Sequence, residues 1–398
     1  MKNILPLDGI KVLDLSRFFP GQYAAMLLAD AGAEVIKIEA PGFRKALFKL
    51  LHEKNPTEKT ESKWNAVYTL DRSKKSLALN LRADEAKDIF YRLAGEADVI
   101  IEGNRPGVMK KLKLDYDTIK KNNPRIVYCS ITGYGQDGPY CKLPARDLSC
   151  LSMSGLLGVI NEGGLPPIVP GAKLADASAA MYSMIGILMA LAAREKTGKG
   201  QFVDVSMTDG ALSWLSPPIM NYYYDEKVPD KGTIYLSGKR PAYNVYKTKD
   251  GKYISIALRE TPFWKMLCEK LERPDLLPYQ NPEPDKSDEI ISAFEDVFLT
   301  KTRDEWFEEL KNVGAGKVYQ LDELESDPQI MHREMIVEVD YPGVGKVKQT
   351  GNPIKLSDTP LKVKSLCPTL GQHTRDILIK SGYSSKEIDW FYKEGVVA

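Results

Sequence analysis

Short runs of apolar residues alternate with stretches of helical periodicity along the first half of the chain. The runs have the length and the flanking turn residues of buried strands, whereas apolar positions spaced three and four apart indicate the helices between them. The predicted strands cover residues 10–15, 34–39, 77–81, 98–102, 125–131 and 201–207, and the predicted helices include residues 21–30 and 83–94. Because strands that alternate with helices run parallel, the pattern predicts a doubly wound α/β domain.

The pattern changes near Pro217. Two strand-like runs flank the turn Lys249-Asp250-Gly251 and predict an antiparallel hairpin. Helices are predicted at about residues 261–271, 287–298 and 303–313, with an extended stretch at 325–365 and final helical segments at 374–379 and 385–394. Residues 43–69 are polar with little periodicity and are predicted to form a surface loop, and residues 222–224 to lie in an irregular connector. We therefore expect a large α/β domain followed by a smaller α+β module.

One long apolar helix is predicted within residues 171–200, and it begins close to Asp176. Its apolar side chains recur at helical spacing, at Met181, Ile185, Leu188, Met189 and Ala192. An aspartate at a helix start has two possible roles. It caps the helix by accepting backbone N–H bonds, or it stands as an ionised carboxylate that the helix end stabilises. Local sequence leaves both open.

The composition excludes several classes of function. The net charge of +1 over 398 residues gives no reason to expect a nucleic acid or a membrane surface as a partner. The first residues lack the apolar region of a signal peptide, and Arg194 interrupts the most apolar helix, so we expect a cytoplasmic protein. Three scattered histidines without an HExxH pattern predict no metal site. The first turn, SRFFPGQ, lacks GxGxxG, which disfavours a nicotinamide or flavin cofactor.

Two basic clusters adjoin predicted strands. Arg72-Ser-Lys-Lys-Ser76 precedes one strand, and Arg105, Lys110 and Lys111 follow another, around a turn that Pro106 opens. Cations beside free backbone N–H groups suit a phosphate ligand, whereas a solvated basic rim is the structural alternative. A glycine-rich loop at residues 133–139 follows the next strand, where open α/β sheets place their ligands.

Several stretches, in order along the chain, resemble the class III CoA-transferase family, also called CaiB/BaiF, which includes formyl-CoA transferase, carnitine CoA-transferase and α-methylacyl-CoA racemase. They are VLDLSRFFPGQYAAMLLADAGAEVIKIEAPG (12–42), RSKKSLALNL (72–81), EGNRPGVMKK (102–111), ITGYGQDGP (131–139), GILMALAAREKTGKGQFVDVSM (186–207), GNPIKLSDTP (351–360) and LGQHT (370–374). The resemblance implies a Rossmann-like large domain built from both chain ends, in residues 1–216 and 331–398. It also implies a linker and small domain in residues 217–330, and an interlocked homodimer.

The resemblance further implies a transfer of coenzyme A between an acyl-CoA and a small carboxylic acid. In the family's transferases the carboxylate that matches Asp176 is the nucleophile, which forms a covalent aspartyl-CoA thioester. No permanently bound cofactor is implied, since coenzyme A is carried as part of the substrate. The CoA-binding residues that the resemblance implies are Arg17, Gly21, Arg72, Lys74, Lys75, Arg105 and Lys111, with Gly133, Tyr134 and Gly135 in the glycine-rich loop.

The racemase branch is the alternative, because EGNRPGV and the segment 236–253 resemble it. Racemisation uses a histidine as the second base, directly before an aspartate, whereas this chain has Arg146-Asp147. Arginine stays protonated and cannot remove an α-proton, which favours the transferase. Arg146 is interpreted either as a structural ion-pair partner or as a clamp for a substrate carboxylate. Glu260 is predicted to act as an acid-side partner of Asp176. A CoA-binding protein without turnover is a third hypothesis, and it requires that Asp176 only cap its helix.

Overall fold

The computed structural model describes residues 4–52, 57–160, 166–228, 236 and 238–398. Six strands form one sheet: β1 (Lys11–Asp14), β2 (Glu34–Glu39), β3 (Lys75–Ala78), β4 (Val99–Glu102), β5 (Val127–Thr132) and β6 (Phe202–Ser206). Their order is β3-β2-β1-β4-β5-β6, and every neighbouring pair is parallel. This order confirms the predicted Rossmann-like α/β fold, and it places the reversal of strand order between β1 and β4.

The helices up to residue 225 are α1 (Phe19–Asp30), α2 (Phe43–His52), α3 (Glu58–Val67), α4 (Asp84–Glu96), α5 (Val108–Leu112), α6 (Tyr116–Ile119), α7 (Asp147–Met153), α8 (Leu156–Val159), α9 (Leu174–Thr197), α10 (Met207–Ser213) and α11 (Ser216–Asp225). The later elements are β7 (Tyr243–Lys247), β8 (Tyr253–Ala257), α12 (Thr261–Lys270), α13 (Pro284–Phe298), α14 (Arg303–Leu310), β9 (Ala315–Val318), α15 (Pro328–His332), β10 (Ile336–Tyr341), β11 (Gly345–Thr350), α16 (Thr374–Lys380) and α17 (Ser385–Lys393).

The chain forms two compact units. The first comprises Met1–Cys150, Lys173–Ala211 and Pro328–Ala398, and the second Leu151–Ala172 and Leu212–Asp327. The first unit thus contains both ends of the chain. Two of the points at which the chain passes from one unit to the other lie near residues 216/217 and 330/331, where the sequence predicts domain boundaries. The sequence did not indicate that residues 151–172 group with the second unit.

The first unit has its main core where the sheet meets the C-terminal helices. Leu13, Leu77 and Ile100 from the strands pack with Phe90 of α4 and Phe391 of α17, all buried. The second unit has a separate core under the antiparallel sheet β7-β8-β9, which confirms the predicted hairpin and adds a third strand. That core is aromatic: Tyr246, Trp264, Phe294, Phe298 and Trp306.

Helix α9 buries a face of mostly small residues and exposes several large apolar ones. Its buried side consists mainly of small side chains: Ala175, Ser178, Ala179, Ala180, Ser183, Ile187, Ala190, Leu191 and Arg194. Small side chains let α9 pack closely against α1 and the sheet. The periodic apolar residues of the sequence lie on the other side, where Met181, Ile185 and Met189 are exposed. The helix ends at Gly198 in the left-handed conformation, as the sequence predicts.

By length and composition alone, α9 is also apolar enough to cross a membrane. Core helices of soluble proteins commonly share this property, so it is weak evidence for a membrane span. Within this structure the helix packs on the sheet, and Arg194 near its end pairs with Asp98 at 2.9 Å.

Two expectations about irregular segments were wrong. Residues 43–69 contain helices α2 and α3, and residues 222–224 lie in α11. Thr57 caps α3 in a reciprocal hydrogen-bonded box with Thr60, a start signal that the lack of apolar periodicity concealed. Prolines in the first turn of α11 begin the helix where the sequence suggested a break. The sequence also predicts a Gly/Pro-rich loop at residues 161–170, and its residues 161–165 lie outside the described residues.

Candidate active site

Three turns follow the carboxyl ends of β1, β4 and β5, the edge at which open α/β sheets bind ligands. Arg17 follows β1, and Arg105 and Lys111 follow β4; all three side chains are exposed. Among the described residues none of the three forms an ion pair. The turns therefore present free positive charge beside the point where the strand order reverses.

Two glycines allow close contacts at this edge. A Cβ atom at Gly21 would lie 2.3 Å from Cβ of Ser16, and one at Gly133 would lie 2.1 Å from Cβ of Ala145. Neither position accepts a larger residue without a shift of the backbone. The carbonyl of Gly133 also accepts hydrogen bonds from Thr208 Oγ1 at 2.8 Å and from Thr208 N at 3.1 Å. The hydrogen bonds from Thr208 and the close contact with Ala145 hold the loop that carries Tyr134 and Gly135 in place, next to Arg146.

Asp176 lies in the first turn of α9, with Lys173 at the N-cap position and no side-chain cap on the helix. Its backbone N–H donates to Oδ1 of Asp147 at 2.9 Å. Its own carboxylate is half-buried and accepts no hydrogen bond from any described residue. Of the two roles that the sequence left open, the side chain therefore does not act as a cap, because Asp147 satisfies the helix end instead.

The surroundings of Asp176 raise the pKa of its carboxyl group to about 6. Burial is the largest cause, because it disfavours the charged form, and the negative charge of Asp147 adds to it. The positive charges of Lys173 and Arg146 act in the opposite direction. The carboxylate is thus mostly ionised at neutral pH while its charge is stabilised less well than in water.

The two cations near Asp176 rest on aromatic rings rather than on carboxylates. The guanidinium of Arg146 lies 5.5 Å from the ring centroid of Phe18, and the ammonium of Lys173 lies 5.6 Å from that of Phe19. Neither forms an ion pair within the described parts of the chain. The structural ion pair that was one interpretation of Arg146 is therefore not observed among the described residues. We call Arg146, Asp147, Lys173 and Asp176 the open charge cluster.

Arg72 and Lys74, predicted at the CoA phosphates, are fully buried and already paired. Lys74 Nζ lies 2.9 Å from Asp14 and 3.0 Å from Asp71, and Arg72 Nη2 lies 2.7 Å from Asp30. We call these five residues, together with Lys37, the buried ion cluster; Lys37 lies 3.4 Å from Asp14. A phosphate at either cation would have to compete with a buried carboxylate, so their contact with CoA stays a prediction.

Lys75 lies elsewhere in the first unit than Asp176, and Glu260 belongs to the second unit. Lys75 pairs with Glu34 and lines a cavity of about 290 Å³ beside β1, β2 and α16, together with His373. Glu260 precedes α12 in the second unit, where its side chain is exposed and does not cap the helix. The predicted partnership between Glu260 and Asp176 therefore stays a prediction.

Another cavity, of about 340 Å³, adjoins Arg105 at the ends of β4 and β5. Its wall includes Glu102, whose carboxylate accepts hydrogen bonds from Ser130 Oγ and from Asn104 N, the latter at 2.7 Å. Burial raises the pKa of Glu102 above its ordinary value. Gln136 of the glycine-rich loop donates to Ser130 at 2.6 Å, so the cavity wall and the loop are joined.

Sequence reasoning did not identify the roles of Asp147 and Lys173. Asp147 appeared only as the neighbour of Arg146, and its hydrogen bond to Asp176 spans 29 positions. Lys173 carries no motif, and its proximity to Asp176 in sequence was the one available signal. No group of three or more histidine, cysteine, aspartate or glutamate side chains in the described ranges is arranged to hold a metal ion.

Comparison with known proteins identifies the family. The model of CoA-transferase family III matches residues 7–374. The chain is 31% identical to human succinyl-CoA:glutarate CoA-transferase, covering 100% of this chain and 91% of that protein. It is 32% identical to succinyl-CoA:mesaconate CoA-transferase of Haloarcula marismortui, covering 94% and 96%. It is also 31% identical to human alpha-methylacyl-CoA racemase, covering 96% and 95%.

Solved structures agree with this assignment. A CaiB/BaiF family protein from Brucella suis superposes with a TM-score of 0.80 at 29% identity, covering 95% of this chain and 99% of that one. A hypothetical protein from Mycobacterium tuberculosis gives a TM-score of 0.77 at 28% identity, covering 95% and 100%. The chain therefore belongs to CoA-transferase family III and is a CoA-transferase.

Proposed function

We propose that the protein moves coenzyme A from an acyl-CoA donor to a carboxylic-acid acceptor through an aspartyl-CoA thioester on Asp176. The observation that carries this proposal is the state of that carboxylate. It is half-buried at the start of α9, it accepts no hydrogen bond from a described residue, and two unpaired cations flank it. A carboxylate that only capped its helix would be engaged with backbone N–H groups, and here Asp147 has that contact.

The reaction proceeds in two symmetrical halves. A carboxylate oxygen of Asp176 attacks the thioester carbonyl, and the C–S bond breaks. CoA departs as the thiolate, and Asp176 and the acyl group remain joined as a mixed anhydride. The thiolate then attacks the aspartyl carbonyl, so the donor acid departs and Asp176 carries CoA as a thioester. The acceptor carboxylate attacks this thioester and expels the thiolate again. Attack of the thiolate on the acceptor's carbonyl releases the new acyl-CoA and restores the Asp176 carboxylate.

The environment of Asp176 suits this chemistry. The attacking form is the anion, which predominates at neutral pH because the pKa of about 6 lies below 7. Burial and the charge of Asp147 disfavour that anion, and both penalties end when the carboxylate becomes a neutral anhydride or thioester. Free N–H groups of the first turn of α9, and the loop at residues 133–138, are suited to stabilise the oxyanions that form in each step.

Acyl-CoA racemisation is the second candidate, and the 31% identity to a named racemase favours it. It needs a base on each side of the α-carbon, whereas Arg146 remains protonated beside Asp176. Of the histidines, His373 accepts a hydrogen bond from Ser76 N at 3.1 Å, and His332 ends α15. Neither contributes to the electrostatics of Asp176.

The exposed side of α9 supports a further part of the proposal, a homodimer. Met181, Ile185, Leu188 and Met189 expose between 37% and 67% of their surface along one helix face. An apolar stripe of this length on a helix that is otherwise packed is typical of a surface covered by a partner. A second copy of this chain is the proposed occupant. Sedimentation equilibrium of the protein and of Met189→Glu tests it, and a monomeric wild-type protein would overturn it.

Trapping the covalent intermediate tests the proposed function. The protein is incubated with succinyl-CoA, acetyl-CoA or propionyl-CoA, and the adduct is cleaved with hydroxylamine or reduced with borohydride before peptide mass analysis. We expect a mass change on the peptide that carries Asp176, and none in Asp176→Asn. Free succinate, glutarate and mesaconate are the acceptors to test first, because relatives are named for them. Solvent deuterium at the α-carbon without any adduct would instead establish racemisation.

A further inference from the structure

The open charge cluster is balanced in the resting protein. It holds two cations and two carboxylates, brought together from the start of α7 and from the start of α9. Asp147 is engaged by the backbone N–H of Asp176, and neither cation forms an ion pair with any described carboxylate. The cluster is therefore neutral as a whole, although its individual charges remain unpaired.

The balance changes in the covalent intermediate. When Asp176 carries CoA as a thioester, its negative charge is gone, while Arg146, Lys173 and Asp147 keep theirs. The cluster then has one surplus positive charge, carried by two exposed cations beside the half-buried Asp176 side chain. Because the negative charge of Asp176 no longer repels an anion or offsets the two cations, an anion binds there more tightly than it does beside the ionised Asp176.

We propose that Arg146 and Lys173 form the binding site for the carboxylate of the acceptor acid, and that this site becomes available when Asp176 loses its charge as the aspartyl-CoA thioester. The inference rests on the proposed function, since it uses the covalent state of Asp176. The acceptor carboxylate takes the electrostatic place of the side chain that has just reacted. In the resting protein the ionised Asp176 repels the same carboxylate.

The two cations are suited to this role. Arginine presents a planar fork of N–H donors that matches a carboxylate, and lysine supplies a compact second charge. The rings of Phe18 and Phe19 hold the two side chains in place without neutralising them. Free acids in solution consequently bind poorly to the resting protein and do not block the attack of Asp176 on acyl-CoA.

Binding of butyrate to Asp176→Asn tests the charge dependence without any turnover. Asparagine keeps the shape of aspartate and removes its charge, as thioester formation does. Calorimetric titration at pH 7.5 should show butyrate binding at least about tenfold more tightly to Asp176→Asn than to the wild type. Butyramide, which has the same shape and no charge, should bind both proteins equally.

A matched pair of second substitutions locates the site. In the Asp176→Asn background, Arg146→Met should abolish the gain in butyrate affinity. Arg125→Met removes an exposed arginine that lies before β5, outside the open charge cluster, and should leave the gain intact. Thermal melting of each variant shows that the proteins are folded before titration.

Equal affinity of butyrate for the wild type and for Asp176→Asn would overturn the inference. The same holds if Asp176→Asn binds neither butyrate nor succinate, or if Arg125→Met removes the gain as completely as Arg146→Met does. These outcomes are separate from a failure of the proposed function. That failure appears as a missing Asp176 adduct in the wild type, which the titrations do not measure.

Discussion

Two groups of charged side chains in the first unit differ in how their charges are satisfied. In the buried ion cluster, Lys74 and Arg72 each lie within 3.0 Å of a carboxylate and are inaccessible to solvent. In the open charge cluster, Arg146 and Lys173 lie over aromatic rings, and Asp176 accepts no hydrogen bond from a described residue. Both groups contain the same residue types within one folded unit.

The difference follows from the cost of burying charge. An ion without a partner in the interior loses several kcal/mol of solvation, so the buried cations must be paired, whereas a half-exposed charge keeps part of its hydration. Charges at the edge of the sheet can therefore remain unpaired and available to a substrate. A basic residue in a sequence motif does not by itself show to which group it belongs.

Removal of the proposed nucleophile should give the largest effect on activity. Asp176→Ala is expected to lower CoA exchange by about a thousandfold or more, because no described side chain can replace the attacking carboxylate. Its free energy of unfolding should change by less than about 1 kcal/mol, since the carboxylate makes no hydrogen bond to the described residues. The measurements are CoA exchange between acyl-CoA and free acid, and urea unfolding. An active variant, or one that is unfolded, would contradict the contrast between the clusters.

Removal of a buried cation should lower the stability of the protein, in contrast to the removal of Asp176. Lys74→Met removes the nearest cation from both Asp14 and Asp71 and is expected to lower the free energy of unfolding by about 3–5 kcal/mol. Lys75→Met removes the same charge from the neighbouring position, where the pair with Glu34 is half-exposed, and should cost less than about 1 kcal/mol. Urea unfolding compares the two. Equal losses would mean that burial does not decide the difference.

An unpaired cation at the carboxyl edge should affect substrate binding more than stability. Arg105→Ala is expected to raise KM for acyl-CoA about tenfold while Tm stays within about 1 °C, because the side chain is exposed and unpaired. Arg125→Ala is the control, since that arginine is also exposed but contacts Glu195 and lies before β5. A similar KM for both variants would place Arg105 outside the substrate site.

The smallest effect should come from the charge of Asp147. Protonation of Asp176 stops its attack, so kcat/KM for the wild type should fall as the pH drops through about 6. In Asp147→Asn one cause of the raised pKa is absent, and the acid limb should move to lower pH by less than about one unit. Burial, the larger cause, remains. A pH-rate profile measures the shift, and movement to higher pH would show that Asp147 acts in another way.

The sequence predicted the regular part of the fold well. β2 begins and ends at the predicted residues, β1 and β4 differ from prediction by one residue at an end, and β7 and β8 flank the predicted turn. These elements have strong periodicity and clear turn residues at their ends. Helix α3 was missed because it is mostly polar and charged, and the prediction relied on apolar spacing. Helix α2 does have apolar residues at helical spacing, at Phe43, Leu47 and Leu51, and it was missed because the whole segment was treated as one polar stretch.

The site could be predicted in part. Asp176 and Arg146 were identified, because a family motif and a departure from another motif marked them. Burial was not readable from sequence, so Arg72 and Lys74 were grouped with Arg105 although their charges face carboxylates in the interior. The hydrogen bond from Asp176 N to Asp147 joins distant positions, and only the fold brings them together.

The position of Asp176 on its helix has a consequence for the time scale of its motion. Backbone N–H groups in a first turn have no acceptor within their helix, and such ends commonly fray and exchange hydrogen with water quickly. In α9 the N–H of Asp176 is bonded to Asp147, and the other end is held by the Arg194–Asp98 pair. The amide of Asp176 should therefore exchange as slowly as one in the middle of the helix.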